Sequence, residues 1–215
     1  PLSWEQEILV SKSLETIQWL SSHNVKFEPI YSRQSFLKDG KHIFWGGLTL
    51  AAENEGVGLF NQELAAFLSL GGKIFYESPV TNLLLKGNKV TGIYVGDKKI
   101  EADAVILASG GFEANENLRK SFIGDDWLKA KVRGTPHNTG DGLRMALEIG
   151  AIKHGLYGGC HATPMDLHMK NYGGLDLEPK ERKNYRKICY FLGIMINAKG
   201  QRFLDEGKNF RNYTY

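Results

Sequence analysis

The chain has 215 residues, of which 42% are hydrophobic and 24% are charged, and a formal net charge of +3 at pH 7. This length allows a sizeable core in one large domain or two small ones. The small net charge and the absence of a dense basic run argue against nucleic acid as a partner. No apolar window reaches the roughly 20 residues of a membrane span, and no stretch has the pattern of a signal peptide. The two cysteines, Cys160 and Cys189, fit a reducing compartment, so we expect a cytoplasmic protein.

The first 77 residues predict helices joined by short extended segments. Ser3 is suited to cap an amphipathic helix, because apolar residues recur behind it at helical spacing. Lys38-Asp-Gly-Lys41 predicts the turn of a hairpin, and Gly71-Gly72 is a stop signal for a helix. The predicted elements are helices over residues 3–23 and 59–70, an extended segment over residues 25–30 and a strand over residues 73–77.

The middle of the chain predicts a β-meander that leads into a buried strand. The three meander strands are predicted over residues 80–85, 90–95 and 100–102. Val105-Ile-Leu107 is a short unbroken apolar run, which is typical of a strand buried on both faces. Ala108, Ser109, Gly110 and Gly111 end this strand, and a helix starts soon after them. A strand, a small-residue turn and a helix can present backbone amides to a phosphate, although such dipeptides also mark ordinary tight turns.

Clear periodicity is lost after Gly155, and we therefore expect the chain to divide near residue 157. Ala198-Lys-Gly-Gln201 predicts a hairpin turn close to the end. The other predicted elements are helix and loop over residues 112–130, a glycine-rich loop over residues 133–142, a helix over residues 143–149 that Gly150 ends, and a strand-like run over residues 188–197. The predicted fold class is α/β with α+β elements, in two parts, residues 1–157 and 158–215.

Several motifs occur in an order that resembles one known family. They are Gly46-Gly47, the meander, Ala108-Ser-Gly-Gly111, Thr139-Gly-Asp-Gly142 with Met145-Ala146 and Gly150-Ala151, His161, and Gly200-Gln-Arg-Phe203 with Glu206. Together they resemble the FAD-binding family of fumarate reductase and succinate dehydrogenase flavoproteins. Arg133-Gly-Thr-Pro-His-Asn138 and Phe210-Arg-Asn-Tyr-Thr-Tyr215 are similar to the tricarballylate dehydrogenase-like members.

The resemblance implies FAD as the cofactor. It also implies that residues 1–157 are part of an FAD-binding Rossmann-like domain and that residues 158–215 are part of a substrate-capping domain. Members of the family begin with a strand followed by Gly-x-Gly-x-x-Gly, which seats the pyrophosphate at a helix N-terminus. That motif does not occur in this sequence. We therefore expect a middle fragment of such an enzyme, which alone holds FAD poorly and is inactive.

The resemblance also implies cofactor-binding residues. Ala108, Ser109, Gly110 and Gly111 would lie against the FAD ribose and pyrophosphate, and Asp141 would lie on the flavin side of the site. Asp141 has an alternative role as a helix N-cap, for which Asp is well suited. Val80 would contact the adenine through its backbone, or it is plain core.

Two residues are implied to bind a substrate carboxylate. His161 matches the family's substrate-binding histidine, and an imidazole N–H can donate to a carboxylate. Arg186 stands near the position where the family has a second acid in its proton relay. A guanidinium there would bind an additional carboxylate through a rigid fork of donors. The alternative is that Arg186 is one more solvated charge in the run over residues 180–187.

The proton donor implied by the resemblance is Arg211. It falls one residue later than the family pattern places it, and its high pKa makes it an unusual acid. It would need desolvation and a relay through carboxylates such as Glu206. A surface or carboxylate-clamping arginine is the alternative. We expect no metal site, because Cys160, Cys189 and His161 lack the usual spacings of zinc ligands.

The function implied by the resemblance is dehydrogenation or reduction of a C–C bond next to carboxylates in a small tricarballylate- or fumarate/succinate-like substrate. There is no Cys-x-x-Cys-His for haem attachment, so we expect a separate electron acceptor. One alternative is a flavoenzyme like the 3-ketosteroid dehydrogenases, with Tyr213 and Tyr215 as possible catalytic tyrosines. Another is a non-catalytic domain that binds a ligand or a protein.

Overall fold

The computed structural model describes residues 3–31, 35–44, 49–187 and 193–206. It forms two compact units, Pro1–Glu77 and Ser78–Tyr215, each of which mixes helices with antiparallel strands. The predicted division of the chain into residues 1–157 and 158–215 stays a prediction. Within the described residues, no helix is both long enough and apolar enough to cross a bilayer.

Helix α1, Trp4–Ser22, confirms the predicted first helix and its cap. Ser3 Oγ accepts from the backbone N–H of Gln6 at 3.4 Å, and the Gln6 side chain accepts from Ser3 N at 2.8 Å, which completes a capping box. No residue of α1 is buried, and Leu9 and Leu14 are exposed. Ile17 and Leu20 are partly buried, so only the C-terminal half of the apolar face is partly covered among the described residues.

The predicted hairpin is confirmed as strands β2, Ser35–Lys38, and β3, Lys41–Phe44. Asp39 and Gly40 have φ values of 51° and 74°, so both take the left-handed conformation of a type I′ turn. The predicted extended segment is also confirmed as β1, Phe27–Pro29, which pairs antiparallel with β4, Leu50–Ala52.

Helix α2, Glu55–Ser69, starts four residues before the prediction and ends where it was expected, because Gly71 has a φ of 84° and Gly72 N donates to Phe67 O at 3.0 Å. The strand predicted over residues 73–77 is wrong. These residues form no ladder with any described segment, and the side chains of Phe75 and Tyr76 are exposed. A strand is defined by its partner, which local hydrophobicity cannot specify.

The meander is confirmed as an antiparallel sheet of three consecutive strands in the second unit. Its strands are β5, Val80–Lys86, β6, Lys89–Val95, and β7, Lys98–Glu101. The buried strand predicted after it is wrong. Residues 104–107 have no regular structure and no pairing with a described strand, and Ile106 is 90% exposed. Three apolar residues in a row indicate a preference for burial but supply no partner to bury them.

The remaining elements of the second unit are short. They are α3, Glu116–Phe122, a 3₁₀ helix, Asp125–Lys129, α4, Asp141–Glu148, a 3₁₀ helix, Asn171–Gly173, and α5, Pro179–Asn184. Asn115 caps α3 by accepting from Leu118 N at 3.1 Å. The helix predicted over residues 143–149 is confirmed as α4, which starts two residues earlier.

The predicted turn at Ala198–Gln201 is confirmed. Asn197 N donates to Gln201 O at 2.9 Å, and Ile196 forms an antiparallel bridge with Arg202. Of the strand-like run over residues 188–197, residues 188–192 lie outside the described residues. The described remainder of that run pairs only through the Ile196 bridge.

Candidate cofactor and substrate site

The turn Ala108–Gly111 contacts the loop that precedes α4. Gly140 N donates to Gly111 O at 3.1 Å, and Ala114 N donates to Asn138 O at 3.0 Å. Asn115 Nδ2 adds a hydrogen bond of 2.9 Å to Thr139 O. The structure thus brings together two segments that are 30 residues apart and that were both predicted to face the cofactor.

Small residues make this contact possible. A Cβ atom built on Gly110, whose φ is 77°, would lie 2.8 Å from Asn138 Oδ1. A Cβ atom built on Gly142 would lie 2.3 Å from Ser109 Oγ. Real Cβ atoms do not approach neighbours so closely, so a larger residue at either position would force the side chain of Asn138 or Ser109 to move.

Asp141 is the first residue of α4, and the N-cap is Gly140 in the left-handed conformation. The alternative of Asp141 as an N-cap is therefore wrong. Its carboxylate accepts from Thr139 Oγ1 and lies 3.9 Å from Arg144 Nε. A carboxylate in the first turn is favoured by the helix dipole, and the hydroxyl and the guanidinium further fix its position.

Arg144 ties α4 to the meander beside Val80. Its Nη2 donates to Thr81 O at 2.8 Å, while its Nη1 donates to both carboxylate oxygens of Glu148, at 2.9 and 2.8 Å. Val80 begins β5 and is half-buried. Arg144 thus links α4 to the strand that Val80 begins, while the turn Ala108–Gly111 contacts the start of α4, where Asp141 lies.

Glu113 and Asn138 are polar neighbours of this site that sequence reasoning missed. Asn138 Nδ2 donates to Glu113 Oε1 at 2.5 Å. Glu113 Oε2 lies 3.0 Å from the place that a Cβ on Gly111 would occupy. The sequence carries no signal for this pair, because the two residues are 25 positions apart and neither stands in a spacing typical of a site.

His161 and Arg186 lie in the second unit, in segments with little regular structure. His161 is exposed, and no described residue forms a hydrogen bond with its ring. Arg186 is half-buried and forms an antiparallel bridge with Met165. Lys187 N donates to Pro164 O at 3.0 Å and extends the pairing. This pairing holds the backbone of Arg186 in place.

Arg133 is a second arginine whose charge acts on the same region. Desolvation lowers the pKa of Arg133, and the positive charge of Arg186 lowers it further. Arg133 as a whole is exposed. Sequence reasoning used Arg133 only as part of a family motif and assigned it no role.

Glu206 is buried, with 4% of its surface exposed. Arg202 Nε and Nη2 donate to Glu206 Oε2 at 2.8 and 2.5 Å, and the backbone N–H of Met195 donates to Oε1. These hydrogen bonds, with that of Arg202 the largest, lower the pKa of Glu206 to about 2. Arg211, its predicted partner in proton transfer, lies outside the described residues.

Metal chemistry finds no support in the described part of the chain, where no group of three or more His, Cys, Asp and Glu side chains could hold an ion. Burial raises the pKa of the Cys160 thiol, which disfavours the thiolate that a metal would need. Cys189 lies outside the described residues.

Comparison with known proteins identifies the family. The FAD binding domain family matches residues 5–213, nearly the whole sequence. The chain therefore belongs to this family of FAD-binding proteins, and FAD is its cofactor.

Relatives and solved structures agree with this assignment. The NADH:acrylate oxidoreductase of Vibrio harveyi is 27% identical over 93% of this chain and 19% of its own length. The cytochrome fumarate reductase of Shewanella frigidimarina is 37% identical over 57% of this chain and 19% of its own length. A flavocytochrome c3 fumarate reductase in its open conformation is 22% identical with a TM-score of 0.66, over 95% of this chain and 34% of that chain, which shows a shared fold. The chain spans about a fifth of the length of both relatives.

Proposed function

We propose that this chain belongs to an FAD-dependent oxidoreductase that dehydrogenates, or in reverse reduces, a C–C bond next to carboxylates. The proposed substrates are tricarballylate-like or fumarate/succinate-like acids. Membership of the FAD-binding family supports the cofactor, and relatives named for acrylate and fumarate support the type of bond. The observation that carries the proposal is the contact of Ala108–Gly111 with the start of α4, where Asp141 lies. Arg144 of the same helix donates to Thr81 O, next to Val80.

The proposed cofactor contacts fit the chemistry of FAD. Ala108, Ser109, Gly110 and Gly111 form a turn without bulky side chains, beside a helix start that favours negative charge. This environment suits ribose and pyrophosphate groups. The proposed role of Val80 is a backbone contact to the adenine, and that of Asp141 is a contact on the flavin side.

For the substrate, we propose that His161 and Arg186 hold carboxylates and that Arg211 transfers the proton. Dehydrogenation removes a hydride from one carbon and a proton from its neighbour, and a C=C bond forms between them. Flavin, when bound, takes or supplies the hydride. Because Glu206 stays ionised near neutral pH, its proposed part in proton transfer is to provide negative charge and to fix the segment ahead of Arg211. A separate acceptor receives the electrons.

The test is a flavin-reduction assay on the flavin-loaded protein containing this chain. We expect tricarballylate or succinate to bleach the flavin absorbance without oxygen, and fumarate or acrylate to reoxidise the reduced protein. Bleaching by a 3-ketosteroid but by no carboxylic acid would support the steroid alternative instead. Flavin that responds to neither class would support a non-catalytic domain.

Arg186→Leu refines this test. A hydrogen bond to a charged group contributes about 1.5–3 kcal/mol, so losing it should lower kcat/KM by roughly ten- to a hundredfold. We expect this loss on a tricarboxylate and little change on a dicarboxylate, which has no further group to place there. Equal losses on both acids would show that Arg186 does not select the substrate.

A further inference from the structure

We propose that Arg133 and Arg186 together form one binding site for a single carboxylate group of the substrate, the group that distinguishes a tricarboxylate from a dicarboxylate. This inference rests on the proposed function and extends it to a residue with no assigned role. The site would be built on one segment, residues 164–173, to which both arginines are anchored.

The segment around Arg133 is fastened to residues 167–173 by three polar contacts. Val132 N donates to Asn171 Oδ1 at 2.8 Å, and Lys131 Nζ donates to the carbonyls of Leu167 and Met169, each at 2.7 Å. The backbone of Arg133 also lies close to this segment. A Cβ atom on Gly173 would lie 2.2 Å from its carbonyl oxygen. Arg133 therefore starts from a fixed backbone position.

Arg186 is anchored at the other end of the same segment. It bridges Met165, while Asp166 N donates to Tyr185 O at 2.8 Å and Lys187 N donates to Pro164 O at 3.0 Å. The two arginines, 53 positions apart in sequence, are thus brought to one region by pairing with residues 164–173. A site on paired backbone holds its geometry better than one on free loops.

The charges of this region leave the two guanidiniums without a counter-charge. The nearby carboxylates are engaged elsewhere, Asp166 with Lys187 at 3.2 Å and Asp176 with Lys170 at 2.5 Å. Among the described residues, no carboxylate forms an ion pair with Arg133 or Arg186. The lowered pKa of Arg133 has the same physical origin, desolvation together with the like charge of Arg186.

A bound carboxylate would neutralise part of the positive charge of the two guanidiniums. Its two oxygens can accept from two guanidinium forks at once, and charge-assisted hydrogen bonds of this kind are about twice as strong as neutral ones. Inorganic phosphate has similar chemistry, so the test must separate the two anions. We commit to carboxylate because the proposed reaction occurs on a carboxylic acid.

The experiment mixes the flavin-loaded protein with tricarballylate or succinate without oxygen, in the presence or absence of inorganic phosphate. The dependence of the rate of flavin bleaching on acid concentration gives an apparent Kd. The variants are Arg133→Gln, Arg186→Gln and their double mutant. Arg133→Lys keeps the charge but loses the fork. Lys129→Gln is the matched control, because it also removes one positive charge but is exposed and pairs with Asp126 at 2.7 Å.

We expect each arginine-to-glutamine variant to weaken tricarballylate binding by roughly ten- to a hundredfold. The double mutant should lose less than the product of the single losses, because both residues act on one group. Succinate binding should change by less than about threefold, as should both acids with Lys129→Gln. Arg133→Lys should fall between wild type and Arg133→Gln, and equal flavin content in all variants would confirm correct folding.

Three results would overturn the inference while leaving the proposed function intact. These are a tricarballylate Kd in Arg133→Gln that matches Lys129→Gln, equal losses on both acids, and phosphate inhibition that depends on the two arginines while tricarballylate binding does not. If neither acid perturbs the wild-type flavin, the proposed function fails and the inference fails with it. The wild-type titration therefore distinguishes the two failures.

Discussion

Arg202 and Glu206 lock the turn at Ala198–Gln201 to the chain on either side of it. The Arg202 guanidinium donates two hydrogen bonds to one carboxylate oxygen of Glu206, at 2.8 and 2.5 Å. The other oxygen accepts from the backbone N–H of Met195. One buried carboxylate thus joins residues before and after the turn. The arrangement explains why the pKa of Glu206 falls to about 2.

The first prediction concerns the acid stability of the chain. The pKa of Glu206 falls from an ordinary 4.5 to about 2 in the folded state. The ionised carboxylate therefore stabilises the fold fully above the unfolded-state pKa. This stabilisation is lost as the pH drops through the folded-state value. Glu206→Gln should therefore lower Tm most at neutral pH, and its difference from wild type should shrink between about pH 5 and pH 2. Thermal melts followed by circular dichroism across this range measure the effect.

Glu15→Gln is the control for acid stability. Glu15 pairs with Lys12 at 2.7 Å on the exposed surface of α1, where ion pairs contribute little. Its removal should leave Tm almost unchanged. A Tm difference for Glu206→Gln that stays constant down to about pH 2 would mean that the carboxylate charge is not the stabilising feature.

The parts of the fold that could be predicted from the sequence are those determined locally. Asp39-Gly40 specifies its own turn, Ser3 and Gln6 specify their own cap, and the meander strands are joined by tight turns. The strand predicted at Val105–Leu107 does not form, because a partner strand and not the apolar run decides whether a ladder forms.

The candidate site shows the same limit. The turn Ala108–Gly111 and Asp141 were identified by their resemblance to a family, and the structure places them in contact across the loop before α4. Glu113, Asn138 and Arg133 were assigned no role in the site, because their relevance comes from neighbours distant in sequence. Composition and the spacing of residues along the sequence carry no information about such contacts, so only the folded chain could show them.

The second prediction concerns Arg119, a buried charge that joins α3 to the 3₁₀ turn. Its Nη1 donates to Trp127 O at 2.9 Å and to Ala130 O at 3.1 Å. Arg119→Met should destabilise the chain by about 1–3 kcal/mol, because both carbonyls lose a charged donor. The urea-unfolding midpoint of the purified chain measures this loss. Lys120→Met, which removes an exposed cation 3.4 Å from Asp125, should cost less than about 1 kcal/mol. Similar losses for the two variants would contradict the prediction.

The third prediction separates backbone strain from steric contact at the cofactor turn. Gly110 and Gly87 both have positive φ values, 77° and 61°, but only Gly110 has a close neighbour, Asn138, while Gly87 has open space. Alanine at either position should cost about 1–2 kcal/mol for the left-handed conformation. Only Gly110→Ala should also reduce the flavin content, read from the ratio of absorbance at the flavin and protein maxima. Equal flavin content in the two variants would remove the cofactor role of this turn.

The last prediction tests the contact of Ser109 with α4 by second-site rescue. In Gly142→Ala the new Cβ would lie 2.3 Å from Ser109 Oγ but 3.6 Å from Ser109 Cβ, which is an ordinary contact distance. Overpacking typically costs about 1–3 kcal/mol, so Gly142→Ala should lower both Tm and flavin content. Ser109→Ala removes the hydroxyl, and the double mutant should recover most of the lost Tm. If the double mutant is no more stable than Gly142→Ala, the turn and the helix do not pack together as the structure shows. Recovery of Tm without recovery of flavin would assign the Ser109 hydroxyl itself to cofactor binding.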